Sequence, residues 1–192
     1  MIIGLSGKIG SGKSTVSEIF KQNGFELDSF AKSVKDVVNI IFGFDREKLE
    51  GINKEDRIWR EKSDKRYSEL LGKDFSPREA MILIGTTIGR NIIHQDIWIA
   101  SLEKKINPNV NYVIPDTRFP NEINLINKIS GEIWCVKRGK DPSWFTQYQM
   151  GGSPPNDIHS SEWEWARSKF DKVVENNGTL EDLTNSVLNV IM

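Results

Sequence analysis

Residues 7–15 carry the residue types and spacing that chemistry on phosphate groups requires. They follow the apolar run 1–5 and read Gly-Lys-Ile-Gly-Ser-Gly-Lys-Ser-Thr, which fits the pattern G-x-x-x-x-G-K-[ST] in full. In this pattern a strand ends, glycines let backbone N–H groups point inward, and a helix begins with its positive dipole end facing the same cavity. The spacing therefore predicts a phosphate loop that binds a nucleoside triphosphate, with a helix starting at Lys13.

Two side chains of this loop predict the chemistry around the phosphates. The Lys13 ammonium would neutralise the β- and γ-phosphates, and the Ser14 hydroxyl would hold a Mg²⁺ ion that bridges them. The residues predicted to bind ATP in the loop are Gly7, Ile9, Gly10, Ser11, Gly12, Lys13, Ser14 and Thr15.

Polar residues follow the predicted strands, where open α/β sheets bind their ligands. Asp116 ends the third apolar run and can hold Mg²⁺ or orient an acceptor, while the Arg118 fork suits a phosphate. The same two residues could instead form a plain surface ion pair. Phosphoryl transfer needs cations near the transferred group, over which negative charge spreads in the transition state. If the acceptor is a phosphate, its oxygen is already an anion and no general base is needed. The candidate cations are Lys13, Lys35, Arg90, Arg118 and Arg138.

Short apolar runs alternate with helix-like stretches along the chain. The runs lie at 2–6, 25–28, 112–115, 132–137 and 172–175. This alternation predicts an α/β fold in which a five-stranded parallel sheet is covered by helices on both faces. Ser76 and Thr179 each precede an acidic residue by three positions, a spacing typical of a helix N-terminus.

Two stretches exceed what a simple crossover connection needs. Residues 30–109 separate the second and third predicted strands, and we expect several helices and an acceptor site there. Residues 139–160 contain paired glycines, paired prolines and scattered aromatic residues, which favour an irregular, mobile lid. We expect both stretches to belong to one domain that spans residues 1–192.

The overall composition argues against several classes of partner and site. The net charge is −1, so no basic field favours a nucleic acid polymer or an anionic membrane. The apolar runs are too short to span a bilayer and no leader segment is visible, which predicts a cytoplasmic protein. The single cysteine, Cys135, lies in an apolar run typical of a buried core thiol. The two histidines have no Cys or His partner at zinc-ligand spacing, so no zinc site is expected. Residues 54–66 carry both basic and acidic side chains, which favours a solvated helix over a nucleic-acid-binding patch.

Together these motifs resemble the bacteriophage deoxynucleoside monophosphate kinases over nearly the whole chain. The weakest coverage is at 44–75. The segments that carry the resemblance are the phosphate loop and residues 30–36, 83–86, 90–91, 115–118, 156–162 and 176–183.

The resemblance implies a P-loop kinase fold, a three-layer sandwich with a helical acceptor-site insertion at 30–109 and a lid at 139–160. It implies transfer of the ATP γ-phosphate to a deoxynucleoside 5′-monophosphate, a homodimer, and the cytoplasm of a host cell if a phage encodes the chain. By position, Arg138 resembles a lid-side contact to the transferred phosphate, and Asn177 with Gly178 resembles the adenine end of the ATP site. Thr87 stands where some relatives carry an acidic residue, which leaves the base preference open. The positions that resemble the monophosphate site are Lys35, Gly85, Thr86, Arg90, Asn91, Trp98, Asp116, Arg118 and Glu122.

Two other functions remain open on the sequence. A dephospho-coenzyme A kinase shares the architecture and would need a base for its hydroxyl acceptor, which Asp28 could supply. A nucleotide-driven switch ATPase would need a water-positioning residue and a switch element, and the sequence shows neither.

Overall fold

The chain divides into two compact units, which we call the sheet unit (Met1–Ser29 with Lys105–Met192) and the helical unit (Phe30–Lys104). The structure is a computed structural model that describes residues 1–153, 158 and 160–191. Asn156, Asp157 and His159, which belong to one segment of the resemblance and to the predicted lid, lie outside the described residues.

The sheet unit is built on five parallel strands in the order β2-β3-β1-β4-β5. Ile3 at the centre of the sheet pairs with Val113 on one side and with Glu132 on the other. The five-stranded parallel sheet predicted from the apolar runs is confirmed, although β2 and β3 are shorter than their runs. The strands are β1 (Ile2–Ser6), β2 (Glu26–Leu27), β3 (Tyr112–Ile114), β4 (Glu132–Lys137) and β5 (Lys172–Glu175).

Helices cover both faces of this sheet, which gives the predicted three layers. Ile3 in β1 belongs to a buried cluster that includes Phe20 of α1 (Lys13–Gln22) and Leu183 of α9 (Leu180–Ile191). Gly4 faces the other side, where a Cβ would lie 3.3 Å from Ile126 of α7. Successive strand residues point to opposite faces, so α1 and α9 pack on one face and α7 on the other. The helices of the sheet unit are α1 (Lys13–Gln22), α7 (Pro120–Lys128), α8 (Ser143–Gln149) and α9 (Leu180–Ile191), with 3₁₀ turns at Ser160–Glu162 and Glu164–Arg167.

The helical unit occupies most of the stretch between the second and third strands. Its core contains Val38, Leu49, Phe75, Ala80 and Trp98, all buried. The elements are α2 (Lys32–Phe42), a 3₁₀ turn (Lys48–Glu50), α3 (Lys54–Glu61), α4 (Lys65–Leu71), α5 (Pro77–Ile82), a π-helix (Leu83–Ile93) and α6 (Ile97–Lys105).

Two helices begin where the sequence predicted. The Ser76 hydroxyl accepts a hydrogen bond from the Glu79 N–H, and the Glu79 carboxylate accepts one from the Ser76 N–H. Thr179 and Asp182 make the same reciprocal pair at the start of α9. Within the described ranges, no helix combines the length and the apolar character that crossing a bilayer requires.

The prediction of an irregular segment at 139–160 is wrong over α8. Phe145 and Tyr148 lie three residues apart on one side of this helix and are both buried. The Phe145 ring packs 5.5 Å from Trp165, and the Tyr148 ring packs 5.0 Å from Trp163. Burial of these aromatic side chains stabilises the helix. The glycines and prolines nearby in the sequence had favoured an irregular segment instead.

Candidate active site

The phosphate loop connects β1 to α1, and α1 begins at Lys13 as predicted. Gly12 precedes it with φ +103°, a backbone angle that side-chain-bearing residues rarely adopt. A Cβ at Gly12 would lie 2.2 Å from the Asn176 amide nitrogen. That nitrogen donates a hydrogen bond of 2.9 Å to the Ser11 carbonyl. Asn176, at the end of β5, therefore holds the loop in shape and requires glycine at position 12.

The Lys13 ammonium lies inside the curl of the loop. Its Nζ donates hydrogen bonds to the carbonyls of Gly7 (2.7 Å) and Lys8 (2.9 Å). Burial and then the nearby Arg118 charge lower the pKa of Lys13 to about 8, against the opposing attraction of Glu162. The loop thus holds a partly desolvated cation that can bind an anion.

The loop after β3 is fixed beside the phosphate loop by buried hydrogen bonds. Thr117 is fully buried, and its carbonyl accepts a 2.9 Å hydrogen bond from the Ser6 hydroxyl at the end of β1. Glu122 is also buried, and its carboxylate accepts the N–H groups of Arg118 (2.7 Å) and Phe119 (3.1 Å). These contacts leave Asp116 half-buried at the carboxyl end of β3. Glu122, which the resemblance assigns to the monophosphate site, holds the backbone of this loop in the structure.

Glu162 connects the two loops. Its Oε1 accepts a hydrogen bond of 2.5 Å from Arg118 Nη1, and its Oε2 accepts one of 3.1 Å from the Ile9 N–H of the phosphate loop. Arg118 Nη1 also donates to the Ser161 hydroxyl at 3.3 Å. Sequence reasoning gave Glu162 no role, although it ends one of the segments that carry the family resemblance.

A cavity of about 400 Å³ opens over the phosphate loop. This volume lies within the range of ligand pockets in proteins. Arg138, predicted to contact phosphate, lines it, and Trp144 from α8 adds an aromatic wall that was not predicted. Asn177 and Gly178 are not part of the described lining; the Asn177 side chain instead accepts a 2.7 Å hydrogen bond from the Gly139 N–H. The lining residues are Lys8, Ile9, Gly10, Ser11, Arg138, Pro142, Trp144, Ile158 and Glu162.

An ion-pair bridge ties the start of the 139–160 segment to the phosphate loop. The Asp141 carboxylate lies 3.1 Å from Lys8 Nζ and 3.2 Å from Lys137 Nζ. Burial raises the pKa of Asp141, but hydrogen bonds from both lysines outweigh burial and leave the pKa below its usual value. The bridge holds the chain leading into α8 beside Lys8.

In the helical unit, the predicted phosphate contact Lys35 lies in a charged network. Its ammonium pairs with Glu50. Arg46 contacts Glu50 at 2.5 Å and Asp36 at 2.6 Å. Burial raises the pKa of Glu50, but Lys35 and Arg46 together bring it below its usual value. Neither Arg46 nor Glu50 was predicted, because the sequence alone does not show which charged side chains will form ion pairs in the folded chain.

The π-helix carries four residues of the predicted monophosphate site. The Gly85 carbonyl accepts a 2.7 Å hydrogen bond from Trp98 Nε1, and a Cβ at Gly89 would lie 2.6 Å from the Trp98 ring. Trp98 is thus a buried residue that sets the backbone of the π-helix. On this helix Thr86 and Asn91 are exposed and Arg90 is half-buried.

Comparison with known families decides which class of P-loop protein this is. A sequence model of the deoxynucleotide monophosphate kinase family matches residues 47–187, more than half of the chain. The chain belongs to this family. The resemblance drawn from the motifs is confirmed, and the chain is a kinase of deoxynucleotide metabolism.

Two viral relatives support the family assignment. A protein of Acanthamoeba polyphaga mimivirus, provisionally named a deoxynucleotide monophosphate kinase, is 28% identical over 199 residues, covering 100% of this chain and 96% of its own length. The deoxynucleoside-5′-monophosphate kinase of Escherichia phage T5 is 39% identical over 80 residues, which is 40% of this chain and 30% of the phage protein.

Solved structures show more distant likenesses. Shikimate kinase from Aquifex aeolicus aligns over 100% of this chain and 96% of its own, with a TM-score of 0.44 and 16% identity. Dephospho-CoA kinase from Campylobacter jejuni aligns over 99% and 95%, with a TM-score of 0.38 and 18% identity.

Proposed function

We propose that this kinase transfers the γ-phosphoryl group of ATP to a deoxynucleoside 5′-monophosphate, giving ADP and a deoxynucleoside diphosphate. The observation that carries the proposal is a complete phosphate loop with the Lys13 ammonium inside it, in a chain of the deoxynucleotide monophosphate kinase family. ATP is the donor, and residues 7 and 9–15 form its phosphate site. Asn177 and Gly178 are proposed for its adenine end.

The protein's contribution to the reaction is charge and position. Lys13, Arg118 and Arg138 are proposed to stabilise the negative charge that spreads over the transferred phosphoryl group. Asp116 is proposed to orient the acceptor. Because the acceptor oxygen is already an anion at neutral pH, no residue has to remove a proton. The proposed monophosphate contacts are Lys35, Gly85, Thr86, Arg90, Asn91, Trp98, Asp116, Arg118 and Glu122.

Mg²⁺ is proposed as the metal, held by Ser14 and Asp116. Ser14 is an exposed residue in the first turn of α1, and the half-buried Asp116 carries a carboxylate just after β3. Hard oxygen donors of this kind, few in number, suit Mg²⁺, which takes its remaining ligands from phosphate and water. When bound, the ion supplies neutralisation of phosphate charge.

The two other functions considered from the sequence are less well supported. A dephospho-coenzyme A kinase would use Asp28 as a base, yet Asp28 is buried and its Oδ1 accepts the Ser29 N–H at 2.7 Å. The family match favours a monophosphate acceptor over a sugar hydroxyl and over a switch ATPase that has no acceptor.

The test is a coupled assay of ADP release from Mg-ATP against dAMP, dGMP, dCMP, dTMP, their ribonucleotides and dephospho-coenzyme A. We expect turnover only when a deoxynucleoside monophosphate is added, and its loss in Lys13→Ala but not in Lys21→Ala on the same helix. Turnover that ignores every acceptor would refute the proposal and favour the switch ATPase. Sedimentation velocity tests the homodimer that the resemblance implies.

A further inference from the structure

The Glu162 carboxylate occupies the space between the phosphate loop and Arg118, where both could donate hydrogen bonds to a bound anion. It accepts the Ile9 N–H on one oxygen and the Arg118 guanidinium on the other, at 3.1 and 2.5 Å. It also lines the cavity over the loop and attracts the Lys13 ammonium. The carboxylate therefore contacts one donor of the loop and one side chain proposed to bind phosphate.

Carboxylate and phosphate oxygens are alternative acceptors for the same donors. Backbone N–H groups of a phosphate loop and the fork of an arginine bind either anion through charge-assisted hydrogen bonds. The two anions cannot share these donors, because like charges at contact distance repel strongly where water is partly excluded. A phosphate that uses the Ile9 N–H must therefore displace Glu162.

We propose that Glu162 is an internal substitute for a nucleotide phosphate: its carboxylate occupies an anion subsite formed by the Ile9 N–H and Arg118 in the ATP-free enzyme, and ATP displaces it. The inference rests on the proposed function, since it takes ATP as the incoming anion. Displacement frees Arg118 to turn from Glu162 to the phosphates. It also separates the Ser160–Glu162 turn from the loop.

The substitute lowers the apparent affinity for ATP. When an internal competitor closes a site in some of the molecules, the apparent Kd for the ligand equals the intrinsic Kd divided by the fraction of molecules in which the site is open. Glu162→Gln removes the charge and weakens the hold on Arg118, while the amide oxygen still accepts the Ile9 N–H. We expect this variant to bind ATP about 5- to 20-fold more tightly than the wild type.

The experiment is isothermal titration calorimetry of the full chain with Mg-ATP and, separately, with pyrophosphate, which carries the charge but no base. The matched control is Glu164→Gln, which removes the same charge two residues away, and we expect its affinity to stay within about twofold of the wild type. The gain in Glu162→Gln should be equal for the two ligands, because the competition is for phosphate donors alone. Glu162→Asp keeps the charge but is one methylene too short to reach both donors, and we expect an intermediate gain.

Weaker or unchanged ATP binding in Glu162→Gln would overturn the inference; weaker binding would mean that Glu162 positions Arg118 in the loaded enzyme. If Glu162→Gln does not fold, an unchanged affinity in Glu162→Asp overturns it instead. A wild-type enzyme that phosphorylates deoxynucleotides, with equal affinities in all three variants, refutes only the role of Glu162. A wild-type chain that binds no ATP refutes both the inference and the proposed function.

Discussion

Replacing Lys13 with methionine should make the ATP-free protein more stable while abolishing ATP binding. The ammonium is held in the folded chain at a pKa of about 8, against 10.5 for an ordinary lysine. At neutral pH this shift means that the protonated ammonium lowers the free energy of unfolding by about 3.5 kcal/mol, at about 1.4 kcal/mol per pKa unit. Because solvent still reaches this half-buried group, the cost is about 2–3 kcal/mol.

The same substitution removes the hydrogen bonds from Lys13 to the Gly7 and Lys8 carbonyls. At a partly solvated site each is worth about 1 kcal/mol. The net gain is between zero and about 1 kcal/mol, and the upper value raises Tm by about 2–4 °C in a chain of this size. Methionine fills the space of the lysine stem, so no cavity term enters.

The gain should also depend on pH in a definite direction. The folded-state pKa of Lys13 lies below its unfolded value, so the unfolded chain binds more protons between pH 8 and pH 10.5. The penalty is fully present below pH 8 and disappears as pH rises through this window. The stability of Lys13→Met relative to wild type should therefore fall from pH 7 to pH 10, and near pH 10 the lost hydrogen bonds should leave the variant less stable than wild type.

Urea unfolding at pH 7, 8.5 and 10 measures this difference. The control is Lys21→Met near the end of α1, whose lysine side chain is 58% exposed and whose removal should change stability by less than about 0.5 kcal/mol. A Lys13→Met protein that is less stable than wild type at pH 7, or a gain that is independent of pH, would show that the loop stabilises the ammonium and would refute the reasoning.

Two further substitutions and one labelling reaction test the packing, a helix cap and the burial of a thiol. Gly89→Ala places a methyl group 2.6 Å from the Trp98 ring and should destabilise the protein by about 1–3 kcal/mol in urea unfolding; an unchanged midpoint would contradict the packing. Ser76→Ala removes the hydroxyl that caps α5 through the Glu79 N–H and should lower the free energy of unfolding by about 1 kcal/mol, whereas a loss below about 0.3 would mean that the cap is dispensable. Burial raises the pKa of Cys135 to about 11, so its thiol should not react with Ellman's reagent at pH 8 until denaturant is added, and rapid reaction of the native protein would disprove its burial.

The features that the sequence predicted well are the ones encoded locally. The phosphate loop, the helix start at Lys13 and the caps at Ser76 and Thr179 each depend on residues within a few positions of one another. The parallel sheet followed from alternating apolar runs, which report burial directly. Asp116 and Arg118 follow β3 as the apolar run predicted, and their roles in the site, inferred because strand ends in such sheets meet at one edge, stay predictions.

The features that were missed depend on residues distant in the sequence. Glu162 meets Ile9 across 153 positions, and nothing near either residue encodes the contact. The Lys35–Glu50 pair depends on how α2 and the following 3₁₀ turn fold back on each other. Helix α8 was missed because its stability comes from Trp163 and Trp165, which lie beyond the glycines and prolines that dominate the local composition.

The π-helix suggests how chain length, rather than residue type, can set the geometry of an acceptor site. The His94 N–H reaches back five residues to the Gly89 carbonyl, so each turn holds more residues than an α-helical turn does. Deleting one residue between Gly85 and Arg90 would rotate the residues after it around the helix axis relative to those before it, by somewhat less than the roughly 100° per residue of an α-helix. A lineage could thus reorient Arg90 and Asn91, two of the proposed monophosphate contacts, by losing a single codon, with every remaining side chain unchanged.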